Sequence, residues 1–109
     1  MTDEPQYCFK IPGYYFLNKK LSQEEIDMLG NRKIDYLIVR GLIDVFGGAA
    51  TIREIALELI YRDYKRTIQT VSFRMCTLKK IGILESYFAE GTKQPLIYKI
   101  SDKHKINNS

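Results

Sequence analysis

The chain has 109 residues, 45% of them hydrophobic and 28% charged, which suits one domain with a modest core. No stretch approaches the roughly 18 apolar residues of a membrane-spanning helix, and the opening "MTDEPQ" is acidic where a secretory or mitochondrial leader would be basic. The net charge of +4 is uneven: residues 63–82 hold five bases and one acid, an excess equal to that of the whole chain, and such a local basic stripe points to a polyanion partner.

Residues 7–17, "YCFKIPGYYFL", are aromatic and β-prone around Pro12–Gly13. They predict a short extended arm, Tyr7–Ile11, and then a bend. An arm this apolar has to be covered, by its own domain or by a second subunit. Ser22 with Glu25 three residues later is a capping box that predicts a short helix over 22–29. Gly30 closes that helix and Asn31 caps the next. In "NRKIDYLIVRGLIDVF", Ile34, Leu37, Ile38, Leu42, Val45 and Phe46 form one stripe of an amphipathic helix of about four turns. Gly41 inside it costs about 1 kcal/mol relative to Ala and marks a close helix crossing. Gly47–Gly48 stop it.

Thr51 and Glu54 form a second capping box at the head of "TIREIALELIY", with Ile52, Ile55, Ala56, Leu59 and Ile60 as the buried face. "RDYK" makes a tight connection into a helix over about 66–81, capped by Asp63 or Thr67. In that helix Ile68, Val71, Met75 and Leu78 share one side, and no acid occurs from Tyr64 to Leu84. Gly82 ends it. "ILESYFAE" and "LIYKIS" then read as two strands of a hairpin around the polar loop "GTKQP". The polar tail "SDKHKINNS" is expected to fray.

Cys8 and Cys76 are the only cysteines, too few for a zinc site or a disulfide scaffold. Two reduced thiols and a single Cys8–Cys76 bridge both remain open. Little supports catalysis. The one histidine, His104, sits in the tail, and there is no Gly-rich phosphate loop, metal-ligand pair or Ser–His–acid set. Glu54 and Glu58 lie four apart, but the first completes a cap and the second faces solvent near Arg62. The sequence implies no catalytic residue, metal, cofactor or small-molecule ligand, and an enzyme is not expected.

The order helix, helix–turn–helix, hairpin resembles the winged helix-turn-helix family over roughly residues 31–101. The resemblance rests on "TIREIALEL", "RTIQTVSFRMCTLKKIGIL" and "IYKIS". Family members follow the third helix with Leu-x-x-x-Gly-Ile/Leu-Leu-Glu, here Leu78, Gly82, Ile83, Leu84 and Glu85. They end the second wing strand Tyr-x-Leu-Ser/Thr, here Tyr98, Lys99, Ile100 and Ser101. This implies an α+β fold, mainly α, with a three-helix core and a β-hairpin wing. Residues 1–30 would add an arm and a short extra helix, and 102–109 the frayed tail.

The resemblance also implies a small cytoplasmic transcription regulator of the prokaryotic or viral kind, acting in the host cytoplasm if viral. It would bind double-stranded DNA with helix 66–81 in the major groove and the 90–95 loop as wing. By position, Arg66, Gln69, Thr70, Phe73 and Arg74 would face the groove, and Lys93 would be the wing residue. Arg suits guanine, Gln suits adenine and Thr touches the thymine methyl. Lys65, Lys79 and Lys80 suit phosphates, Thr77 lies on or near the same face, and Arg53 could reach the backbone. A homodimer on a two-fold site is expected, with the arm and helices 22–46 as its surface. The alternative is a winged-helix module that binds protein through Phe73 and the aromatic arm. A basic face is also what a merely solvated helix shows.

Overall fold

Side-chain caps open three of the four described α-helices, and a left-handed glycine closes the last. The structure is a computed structural model that describes residues 6–89 and 96–106. Ser22 opens α1 (Gln23–Asp27): its hydroxyl accepts the Glu25 N–H at 3.3 Å, and the Glu25 carboxylate accepts the Ser22 N–H at 3.0 Å. Asn31 does not cap the next helix. Gly30–Arg32 form a 3-10 turn that runs straight into α2 (Lys33–Asp44), whose cap position, Arg32, makes no side-chain cap bond. Gly47 and Gly48, at φ 65° and 102°, end that segment and lead into β1 (Ala49–Thr51).

Thr51 closes the strand and caps α3 (Ile52–Tyr61) through a full box with Glu54. The turn that follows holds Asp63 at φ 60°, which Asp tolerates better than most residues. Thr67, rather than Asp63, caps α4 (Ile68–Ile81), accepting the Thr70 N–H at 3.1 Å. Gly82 stops α4 at φ 100°, its N–H returning to the carbonyls of Leu78 and Lys79.

α2 lies at the centre. Ile34 through Leu42 are all buried, because α1, α3, α4 and the sheet pack around this helix. It is therefore buried all round rather than along one stripe, and it carries Asp35 and Arg40 inside with it. Val45, expected on the stripe, is 52% exposed, since the helix ends at Asp44 and the phase is lost. Gly41 does mark a crossing: a Cβ there would lie 3.1 Å from Glu58 Cγ and 3.9 Å from Ile55 Cδ1 on α3.

β2 (Leu84–Phe88) and β3 (Leu96–Ile100) pair antiparallel, Leu84 opposite Ile100 and Phe88 opposite Leu96. β1 adds a third strand on the other side of β3, Ala50 opposite Tyr98, giving the order β1-β3-β2. Ala-Ala-Thr is too short and too weakly β-prone to announce a strand; its pairing with β3 makes it one. The fold is thus α+β, mainly helical, with a small three-stranded antiparallel sheet.

The tail is corrected by the structure over 102–106. Asp102–His104 form a 3-10 turn, and His104 is buried, its Nε2 2.9 Å from the Gly82 carbonyl. The arm runs antiparallel to this segment. Cys8 N–H donates to the His104 carbonyl at 2.8 Å, Ile106 N–H donates to the Gln6 carbonyl at 2.8 Å, and Tyr7 pairs with Lys105. Phe9 is fully buried, its ring 5.0 Å from the His104 imidazole. The arm is therefore covered by its own chain, and Phe9 and Leu17 join the same core as Val71 and Ile100.

Candidate nucleic-acid interface

α4 is positioned by Val71, Met75 and Leu78, each 0% exposed. Burying such side chains is worth about 1.5–3 kcal/mol apiece. Ile68, expected among them, opens the helix and stays 44% exposed. The outward face presents Gln69, Thr70, Phe73, Cys76 and Lys80.

Lys65 and Arg66 stand before the helix rather than on it, both exposed. The Arg66 guanidinium carbon lies 3.7 Å from the Tyr64 ring centroid, and Nη1 donates to the Lys65 carbonyl at 2.7 Å. Stacking on the ring restricts a fork that would otherwise sample many rotamers. Lys33 Nζ also approaches Tyr64, at 5.2 Å. The Thr70 hydroxyl accepts from that of Thr67 at 3.0 Å. Thr77 is half-buried and donates to the Phe73 carbonyl at 2.9 Å. Lys79 reaches Ser86 on β2 at 2.6 Å, whereas Lys80 is simply exposed. Arg53 is exposed on the first turn of α3. Lys93 and the rest of the 90–95 loop lie outside the described residues.

Arg74 departs from the expected role. Its Nε and Nη2 donate to the two carboxylate oxygens of Asp35, at 2.9 and 2.6 Å. The Asp35 side chain is 0% exposed and that of Arg74 only 25%. The hydrogen bonds it donates to Asp35, aided by the carboxylate's charge and opposed by desolvation, hold the arginine even more firmly protonated than usual. The edge of the fork that would bind guanine is thus occupied by the chain's own carboxylate. A signal for this lay in "KIDYLIV", where an acid sits among apolar residues and needs a cation from another element.

Four bases remain about this face: Lys65, Arg66, Lys79 and Lys80. No acid interrupts them between residues 64 and 84. Cys8 and Cys76 are free thiols. Cys76 Sγ lies 3.4 Å from the Tyr98 hydroxyl. Burial first, and the bond to this thiol second, push the Tyr98 phenol up to about 12. Large apolar side chains are exposed as well: Phe73 at 67% on α4, Leu57 and Tyr61 at 57% and 85% on α3. Among the described residues no group of three His, Cys, Asp or Glu is placed to hold a metal ion, and no helix is long and apolar enough to cross a membrane. Comparison with family models, with curated proteins and with solved structures finds no match for this chain.

Proposed function

We propose that the protein is a winged helix-turn-helix regulator that binds double-stranded DNA, with α4 in the major groove and the 90–95 loop as wing. The observation that carries this reading is the exposed, acid-free face of α4, edged by Lys65, Arg66, Lys79 and Lys80. The element order supports it: α2, then α3 and α4 joined by a tight turn, then a hairpin. Arg66, Gln69 and Thr70 are the base readers in this scheme, and the lysines contact phosphates. Arg74 holds α4 on α2 instead of reading a base. Homodimerisation on a two-fold site belongs to the same proposal. Phe9 of the arm is used within the chain, so a dimer surface has to draw on other residues of the 6–46 region, such as exposed Met28 and Tyr15.

Selection from random duplex DNA, followed by anisotropy at increasing salt, tests the reading. The expected result is an enriched, roughly palindromic motif and a slope of log K against log salt of about −0.9 per neutralised phosphate. Failure to enrich any motif at low salt removes it. The exposure of Phe73, Leu57 and Tyr61 favours a second reading, a module of this fold that binds protein. Such a contact would change little with salt.

A further inference from the structure

We propose that the outward face of α4 selects A·T base pairs, with Gln69 on an adenine and Phe73 on a thymine methyl. This rests on α4 entering duplex DNA as proposed, and it names the class of sequence taken there. Guanine is read by a guanidinium or ammonium that reaches O6 and N7. Arg74 is the one arginine within α4, and Asp35 holds its fork at 2.9 and 2.6 Å. Helix-turn-helix proteins meet the bases with the N-terminal part of this helix. Lys79 and Lys80 stand in the last turn of α4, about 15 Å or more along the axis from Gln69. Lys79 is also bonded to Ser86. The helix itself therefore offers no guanine reader where one is needed.

Its first two turns present chemistry for A·T instead. Gln69 is exposed, and its amide has no partner among the described residues, so donor and acceptor are both open to N7 and N6 of adenine. The Thr70 hydroxyl already accepts from Thr67 at 3.0 Å, and its methyl is apolar surface of the kind that meets thymine. Phe73 is 67% exposed, one turn beyond Gln69. A phenyl ring left in water beside phosphate-binding lysines gains by covering the thymine C5-methyl group. Residues four apart on a helix hold their Cβ atoms about 5–6 Å apart, less than two base steps of roughly 3.4 Å. The adenine and the thymine therefore fall within two base pairs of each other. Arg66, set before the helix with its guanidinium 3.7 Å from the Tyr64 ring centroid, is left to a pair flanking this core.

The test takes duplexes enriched by the full chain from random DNA and replaces each thymine in turn with deoxyuridine, which pairs alike but lacks the methyl. Anisotropy titrations then compare the unaltered chain with Phe73→Ala and Gln69→Ala, both changes at exposed positions. Adjacent A·T pairs are expected in the core of each half-site. One deoxyuridine should weaken the unaltered chain about fourfold, the effect of one buried methyl group, and leave Phe73→Ala unaffected. Gln69→Ala should lose about fivefold or more of the preference for adenine at one position. Enriched sites with G·C cores, thymines that can all be replaced without effect, or a Phe73→Ala chain that responds to deoxyuridine as the unaltered one does would each overturn the A·T assignment while DNA binding stands. No enriched site at all removes DNA binding itself, and the assignment with it.

Discussion

The wholly buried carboxylate of Asp35 on α2 accepts two hydrogen bonds from the Arg74 guanidinium of α4, at 2.9 and 2.6 Å. This pair spans 39 residues and ties the central helix to the one with the acid-free face. The two partners are not equivalent. Removing the arginine strands a carboxylate with no exposure, a cost of about 3–5 kcal/mol. Removing the carboxylate leaves a 25% exposed guanidinium that can turn toward water, so Asp35→Asn is expected to cost about 1–3 kcal/mol. Replacing both, with Asp35→Leu and Arg74→Met, should recover most of the loss. Urea unfolding of the two single variants and the double measures all three, and equal costs for the singles would refute the asymmetry.

Because Arg74 supports the fold, a DNA-binding defect in Arg74→Ala would be ambiguous. Arg66→Ala and Lys80→Ala are cleaner, since both residues are exposed. Each is expected to lower the salt slope by about 1 while leaving stability within about 0.5 kcal/mol. Gln69→Ala should instead cost about 1–3 kcal/mol at one base position and leave the slope alone. Anisotropy titrations at several salt concentrations separate these outcomes.

His104 and the arm form a clasp that can be opened one residue at a time. His104→Ala removes the contact with the Phe9 ring and leaves the Gly82 carbonyl without that partner. The expected loss is about 2–3 kcal/mol, read from the denaturant midpoint. Ending the chain after Ser101 should cost more, because Cys8 and Gln6 lose their backbone partners as well. A truncated chain as stable as the full one would show that the clasp contributes nothing.

Tyr98 makes alkaline stability measurable. Its phenol titrates near 10.0 when unperturbed and at about 12 in the folded chain. The folded state therefore holds this proton more tightly. The stabilisation is complete below pH 10.0 and is lost as the pH rises through about 12. Tyrosinate absorbance should show Tyr98 titrating late, with Tyr7, whose phenol burial also pushes up, above its ordinary value as well. Cys76→Ala should bring Tyr98 down only part of the way, because burial is the larger cause.

What could be read in the sequence was what depends on neighbours along the chain. Ser22 with Glu25, and Thr51 with Glu54, announce helix starts through bonds three residues long. Gly82 announces a stop through its own φ. The outward placement of Gln69, Thr70, Phe73 and Lys80 followed from helical spacing alone. What escaped depends on distant partners. Asp35 and Arg40 were hidden because α2 is enclosed on every side, and one-stripe periodicity assumes a wet face. The segment 102–106 looked soluble by composition, yet it is attached by main-chain hydrogen bonds, to which side-chain polarity gives no clue, and by the buried His104 imidazole. β1 exists only because β3 lies beside it.

Gln6 and Ile106 are joined by a single 2.8 Å hydrogen bond, and the segments leading to them run in opposite directions. A tensile load on the two ends therefore meets the rungs in succession: first Gln6–Ile106, then Cys8–His104. Such a zipper yields at low force, since each rung carries the strain alone. The earliest event under tension would be the peeling of this seam, with Phe9 the first core side chain to come free.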